Sequence, residues 1–380
     1  MRIGLIGYGG VGRVHALAYR ALGFHYGLPA DSITVHGVAT TRKESAERAA
    51  AEIGCSIAVD DYHRLLQDPD IDAVSICVPN HLHEEVAVAA AQAGKHIYCE
   101  KPLAMDPAGG HRMVEAAESA GVTNQVSFHF RYYPAIRRAR ELIRDGFLGE
   151  LFSFHGRYFR SSYIDPTKPL SWRLKKETAR SGALFDLGSH IIDLTYFLLG
   201  DFRAVRATTR TLIEERPIAK GATATGPVDV DDMALLSVET ASGTIGSLEV
   251  SRMGTGLPND LRIEIFGSSG AIRFCAQDPS WLEVYDVTDV ATPGGGMRGF
   301  RRLETVQRYE GQRVPDWSMP PGFVRTNAES QYTFIQACRS GADAEPSMRH
   351  ALHVQNIMEA ALVSQTSGGW ESVAAMGLTE

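Results

Sequence analysis

No run of consecutive apolar residues in this 380-residue chain approaches the ~18–20 that a membrane-spanning helix needs. A basic surplus is also missing: 38 Lys and Arg stand against 45 Asp and Glu, a net charge of −7. That balance argues against a sequence-independent nucleic-acid binder and against docking on anionic membranes. Cysteine is sparse. Cys55, Cys77, Cys99, Cys275 and Cys338 are scattered, odd in number and never spaced C-x-x-C. This excludes a disulfide framework and a zinc finger, and is expected of buried thiols in a reducing compartment. The N-terminus enters an apolar strand pattern at Arg2–Ile6 and leaves no room for a signal peptide, so a soluble cytoplasmic protein is expected. There is no internal repeat and no low-complexity tract. What remains is an average globular composition, 44% hydrophobic and 22% charged, over a length suited to two domains.

The first third alternates two periods. β-rich runs at Arg2–Ile6, Ile33–Ala39, Asp72–Val78, His96–Cys99 and Thr123–Phe128 are separated by helical patterns at Val11–Leu22, Lys43–Ile53, Glu84–Ala93 and Pro107–Ala120. Strands separated by helices of this length predict a doubly wound α/β domain with a parallel sheet. After a basic helical stretch, Pro134–Asp145, strand patterns follow one another: Leu151–Phe159, Val205–Ile213, Met233–Glu239, Thr244–Ser251, Leu261–Phe266 and Ala271–Phe274. They predict an α+β domain with an open, mostly antiparallel sheet, interrupted by one helix over Ala183–Leu199. Two apolar helices, near Asn327–Arg339 and Met348–Ser364, are expected to pack on either domain, and Asp289–Met319 reads as a long loop. The boundaries expected are 1–128 for the first domain and 129–380 for the second.

Gly7-Tyr8-Gly9-Gly10-Val11-Gly12 is a G-x-G-x-x-G run directly after the first strand and opening a helix. Glycines there permit a tight turn, backbone approach to a pyrophosphate and close helix–strand packing. Such a run alone is a weak signal; its place in a βαβ unit makes it dinucleotide binding. The second strand ends in Ala39-Thr40-Thr41-Arg42-Lys43, with no carboxylate before Glu44. An acid there would bond the NAD ribose and repel a 2′-phosphate, so hydroxyls and a guanidinium lean toward NADP. The alternative is that Arg42 stacks on the adenine or is solvated.

Val78-Pro79-Asn80-His81-Leu82-His83 reads as a helix-start loop lining the cofactor pocket. Cys77, His81 and His83 lack a fourth partner nearby for a tight zinc site, and no metal is expected. Glu100-Lys101-Pro102 ends the next strand. In a partly dry cleft Lys101 can exchange a proton with a substrate hydroxyl, although the two charges can also be a plain surface ion pair. Asp186, His190 and Asp193 are spaced to share one helix face, with Leu187, Ile191, Leu194 and Leu198 on another. A carboxylate and an imidazole there can orient a hydroxylated substrate; a helix-capping Asp and a core His are the alternative.

Together these motifs resemble the Gfo/Idh/MocA oxidoreductases, named after glucose–fructose oxidoreductase, inositol dehydrogenase and a rhizopine-catabolism protein. The resemblance implies a catalytic group of Lys101, Asp186 and His190. The expected reaction is hydride transfer between NAD or NADP and a secondary alcohol of a sugar or cyclitol. Pro169–Arg173, Ser181–Leu184 and Pro227–Asp232 are similar to the branch that oxidises glycosides and levoglucosan at the pyranose C3 hydroxyl. Ser181 stands where many relatives carry glycine. The cofactor set implied is Gly7, Gly9, Gly10, Val11, Gly12, Thr40, Thr41, Arg42, Pro79, Asn80, His83, Glu100, Lys101, Trp172 and Arg173. Pocket candidates are Lys101, Arg131, Tyr158, Trp172, Arg173, Asp186, His190 and Asp232. An inositol dehydrogenase would use the same three catalytic residues. A non-catalytic dinucleotide and sugar sensor would be marked by loss of the lysine or histidine, and both are present. The open sheet predicts a homodimer or homotetramer.

Overall fold

In the computed structural model the described residues are 1–29, 31–305 and 323–373. They form two compact units, one of the described residues in 1–132 and 323–355, the other of those in 133–305 and 356–373. In chain order the first unit opens with β1 (Arg2–Ile6), α1 (Gly10–Tyr26), β2 (Thr34–Ala39), α2 (Lys43–Ile53), β3 (Ile57–Val59) and α3 (His63–Leu66). It continues with β4 (Ala73–Ile76), α4 (His83–Gln92), β5 (His96–Cys99), α5 (Pro107–Ser119) and β6 (Asn124–Val126). The six strands are parallel in the order β3-β2-β1-β4-β5-β6, a doubly wound arrangement whose order reverses between β1 and β4. All four residues of β4 are buried, as a strand covered on both faces requires. α2 buries Ala46, Ala49, Ala50 and Ile53, one stripe at helical spacing. Asp106 starts α5 by accepting the Gly109 N–H at 2.8 Å, with Pro107 in the first turn. β3 and α3 were not expected, because three and four residues are too few to show a period.

The second unit runs α6 (Pro134–Arg144), β7 (Leu151–Phe159), α7 (Lys176–Ala179), a π-turn at Leu184–Gly188, α8 (Ser189–Leu199) and β8 (Phe202–Arg210). Then come a small hairpin, β9 (Glu215–Pro217) with β10 (Thr225–Pro227), and β11 (Met233–Thr240), β12 (Ile245–Ser251), β13 (Asp260–Gly267), β14 (Gly270–Cys275), β15 (Trp281–Asp286) and β16 (Arg301–Glu304). After these lie α9 (Phe323–Ser340), α10 (Met348–Ser367) and β17 (Glu371–Ser372). The large sheet has nine strands in the order β16-β15-β14-β13-β7-β12-β11-β8-β17, antiparallel except for the parallel pair β7–β12. Phe154, Gly156 and Tyr158 of β7 face inward, where α8 lies close. A Cβ on Gly156 would stand 3.0 Å from the Ile191 side chain.

Several expectations need correction. The loop read over Asp289–Met319 contains β16, and its residues 306–319 lie outside the described residues. The helix expected over Ala183–Leu199 begins as a π-turn. It is also not amphipathic: every residue from Ser189 to Tyr196 is buried, because α6 and β7 both pack against α8. Lys176–Leu199 as a whole is long and apolar enough to pass for a membrane span, yet most of its apolar window is buried in the protein. All five cysteines are free, but only Cys99 is buried.

α9 belongs to the first unit. Its Phe334 and Ile335 join Leu5, Tyr19, Leu22 and Tyr98 in one core, and Tyr332 stacks on Tyr26 at 3.6 Å between centroids. α10 starts there too, its Met348 N–H bonded to Asn124 Oδ1 at 2.7 Å. From Asn356 it belongs to the second unit, where the Ser364 hydroxyl accepts the Ala207 N–H at 2.9 Å.

Candidate active site

The parallel sheet aligns Ile6, Ile76 and Cys99 across β1, β4 and β5, so the residues that follow them, Gly7, Cys77 and Glu100, leave one edge together. Gly7 has φ +92°, and a Cβ on it would meet the Cys77 carbonyl at 2.5 Å. A Cβ on Gly12 would lie 2.3 Å from the Gly7 carbonyl, so strand end and helix start touch through bare backbone. Gly9 and Gly10 differ, since a Cβ on either meets nothing within 4 Å. Gly9, Gly10 and Val11 are exposed at the start of α1, which has no side-chain cap and no acid in its first turn. An open, uncapped helix N-terminus of glycines fits a pyrophosphate. The Gly7 N–H donates to the Ala39 carbonyl at 2.9 Å, which sets Thr40, Thr41 and Arg42 beside the turn. Thr40 donates to the Arg42 carbonyl at 2.9 Å, and Thr41 and Arg42 are exposed.

Glu100 is nearly buried, with its Oε1 3.0 Å from His15 Nε2. Burial opposes its charge, but bonds to His15 and Ser127 and the Lys101 cation hold its pKa down to about 2. Burial likewise works against a charged His15, and Cys77 and Glu100 overcome it, raising the imidazole to about 10. Lys101 is half-buried beside this pair. Pro79 is half-buried, and Asn80 is buried at the head of a 3₁₀ turn. His83 does not line an open pocket: it is buried, with its ring nitrogens 2.8 Å from the Pro102 carbonyl and 3.0 Å from that of Val78. Arg131 is buried too, its guanidinium against the His350 ring.

In the second unit Asp186 sits in the π-turn and His190 in the first turn of α8. Asp186 Oδ2 accepts from Arg252 Nη2 at 3.1 Å; the Arg252 side chain is 2% exposed against 26% for Asp186. Arg252 Nη1 also donates to the Arg173 carbonyl at 3.2 Å, so one guanidinium links the Asp186 turn to the Trp172–Arg173 turn. The Arg173 guanidinium lies 4.3 Å from the Trp172 ring centroid. Tyr158 meets the His190 ring edge-on, centroids 5.9 Å apart, and its hydroxyl donates to Asn259 Oδ1 at 2.7 Å. Burial pushes the Tyr158 phenol well above its ordinary range, which keeps it a neutral donor.

Sequence reasoning missed how this turn is anchored. Asp231 Oδ1 accepts from the Ser181 hydroxyl and, at 2.6 Å, from the Gly182 N–H, while Oδ2 takes the Leu184 N–H at 2.8 Å. The Asp231 carbonyl takes the Ala183 N–H at 2.9 Å. A Cβ on Gly182 would stand 1.8 Å from that carbonyl, so only glycine fits. Ser181 therefore contributes a bond where a glycine would have none. Asp232, expected in the pocket, is 1% exposed and turns Oδ2 to the Leu212 and Ile213 N–H groups at 2.8 and 3.1 Å. Asp193, placed beside Asp186 and His190 by spacing, is likewise only 1% exposed.

A family model described as an oxidoreductase family with an NAD-binding Rossmann fold matches residues 1–128, and a GFO/IDH/MocA C-terminal domain model matches residues 136–273. Levoglucosan dehydrogenase of Pseudarthrobacter phenanthrenivorans is 36% identical, covering 98% of this chain and 98% of its own. Myo-inositol 2-dehydrogenase of Thermotoga maritima is 30% identical over 80% of this chain and 81% of its own. A solved structure of levoglucosan dehydrogenase in complex with NADH and levoglucosan has a TM-score of 0.92 at 36% identity, covering 99% of this chain and 100% of that one.

Proposed function

The chain belongs to the GFO/IDH/MocA oxidoreductase family, and from that membership we propose that it oxidises a secondary alcohol of a pyranose, glycoside or anhydrosugar with NAD(P). The observation that carries the substrate class is the group Asp186, His190 and Tyr158. An ionised carboxylate, an imidazole and a neutral phenol, drawn together in one unit, form a donor–acceptor set for vicinal hydroxyls. Similarity along the whole length to an enzyme named for levoglucosan supports the same class.

The nicotinamide, when bound, supplies the hydride acceptor. Gly9 and Gly10 would hold the pyrophosphate at the start of α1, on a turn that Gly7 and Gly12 make possible. Lys101 takes the hydroxyl proton at Nζ, directly or through a relay, as the carbinol carbon is oxidised. Asp186, kept charged by Arg252, accepts a bond from a neighbouring hydroxyl, and His190 binds another and helps the proton leave. Thr40, Thr41 and Arg42 favour a 2′-phosphate, so NADP is bound at least as well as NAD. A cyclitol is the second reading, favoured by the similarity to myo-inositol 2-dehydrogenase. The reaction is assigned to the cytoplasm, whose reducing conditions suit five free cysteines.

Two copies are expected to pair through the outer face of the nine-stranded sheet, where Leu235 and Ile245 are 49% and 58% exposed on adjacent strands. A monomer mass in solution at micromolar concentration would overturn that pairing. The activity is tested by adding NAD or NADP with levoglucosan, glucosides and inositols and following absorbance at 340 nm. Reduction with a pyranose ring supports the first reading, and reduction with inositol alone the second. No reduction with any polyol would overturn both.

A further inference from the structure

His15 is fully buried in α1, three residues past the last glycine of the turn. Its Nε2 faces Glu100 Oε1 at 3.0 Å; its Nδ1 lies 2.9 Å from the Ser75 hydroxyl and 3.1 Å from Cys77 Sγ. The ring meets Tyr98 edge-on, centroids 5.3 Å apart. One imidazole thus joins the helix that begins at the glycine turn to β4, through Ser75 and Cys77, and to the end of β5, through Tyr98 and Glu100. A buried imidazole is tolerated when its nitrogens are bonded, and here the bonded acid is the residue before Lys101.

We infer that His15 is a positioning residue for proton transfer, holding the Glu100 carboxylate, the neighbour of Lys101, in a fixed bond. This rests on the reading of Lys101 as the proton acceptor. An unpaired carboxylate next to Lys101 would be drawn to its ammonium, favour the protonated amine and oppose proton uptake. The Lys101 cation also acts on that carboxylate, and His15 takes a share of its charge through the 3.0 Å bond; Cys77 and Glu100 together raise the imidazole to about 10, and the acid is lowered to about 2. The same contact fixes the Lys101 backbone to the helix that receives the pyrophosphate.

The test compares His15→Leu, His15→Gln and the double variant His15→Leu with Glu100→Gln. The readouts are kcat, substrate KM, melting temperature, and the NADH dissociation constant from fluorescence of the protein without substrate. His15→Leu is expected to lower kcat about 10- to 100-fold while NADH affinity stays within about three-fold. His15→Gln, whose amide can still donate to Glu100, should retain several-fold more turnover than leucine. Removing the stranded charge with Glu100→Gln should recover part of what leucine loses, a coupling that a purely structural role would not give. Should His15→Leu not fold, the glutamine and double variants carry the comparison. Unchanged kcat in the folded variants, or a double variant no better than its parent, overturns the role of His15. Lys101→Met measured alongside separates the two claims: normal turnover there overturns the reading of Lys101 itself.

Discussion

Glu100 and Asp186 are both acids held by a buried cation, but the two units hold them by different means. Glu100 follows β5, and its partner His15 comes from a helix whose first turn the parallel sheet has already set beside it. Backbone topology does most of the placement, because three strand ends leave one edge together. Asp186 lies on a turn packed against β7, β11 and β12 of the mostly antiparallel sheet, and backbone alone does not fix it. Two side chains do so instead: Arg252, just past β12, takes the carboxylate, and Asp231 ties down the Ser181–Leu184 backbone. The cations differ as well. A guanidinium stays charged at every accessible pH, whereas the His15–Glu100 pair exists only in a window.

Substitutions can break this contrast, and the largest effect is expected at glycine. Gly182→Ala puts a methyl into the Asp231 carbonyl and should cost about 3 kcal/mol or more, read by urea unfolding. Gly9→Ala meets open space and should leave stability unchanged while weakening cofactor binding. Equal destabilisation by both would erase the distinction. Next comes Arg252→Met, which strands Asp186 without its cation. We expect kcat/KM for the sugar to fall on the order of 10²-fold with the NAD dissociation constant unchanged, and Arg252→Lys to keep part of the activity. Thr40→Asp should shift the NADP-to-NAD affinity ratio toward NAD by about ten-fold, since the new charge faces a 2′-phosphate. Wild type that already binds NAD ten-fold more tightly would contradict the reading of that loop.

The smallest effect is a pH signature. Glu100 is lowered from 4.5 to about 2, so its contribution is complete above pH 4.5 and is lost as pH falls toward 2. His15 is raised from 6.5 to about 10, so its contribution is complete below pH 6.5 and is lost as pH rises toward 10. The melting-temperature difference between wild type and the His15→Gln, Glu100→Gln double variant should therefore peak between pH 4.5 and 6.5. A difference that does not vary with pH would contradict a charged pair.

How much of this was legible in the sequence follows the same division. β1, α2, β5 and β7 appear at their expected bounds, because helical and strand periods over uniform environments read directly. The glycine turn and Glu100-Lys101 stood out in the sequence as short local patterns at strand ends, although His15, which bonds Glu100 from 85 residues away, did not. Arg252 was not, being one buried arginine 66 residues from its partner with no local pattern. Asp232 was taken for a pocket residue and Asp231 passed over. Neighbouring aspartates look alike in sequence, and only the fold decides which one meets Gly182. His83 looked like a pocket residue because a loop histidine at a strand end reads as functional, while its nitrogens face two carbonyls.

Lys101→Met tests the central claim most directly. The side chain keeps much of its length and loses the amine proposed to move the proton, while the glycine turn proposed for the pyrophosphate is untouched. Turnover at saturating sugar and NAD(P) should fall on the order of 10²–10⁴-fold, with the cofactor dissociation constant within a few-fold of wild type. Near-normal turnover in that variant would contradict the assignment of Lys101 and the proton path built on it.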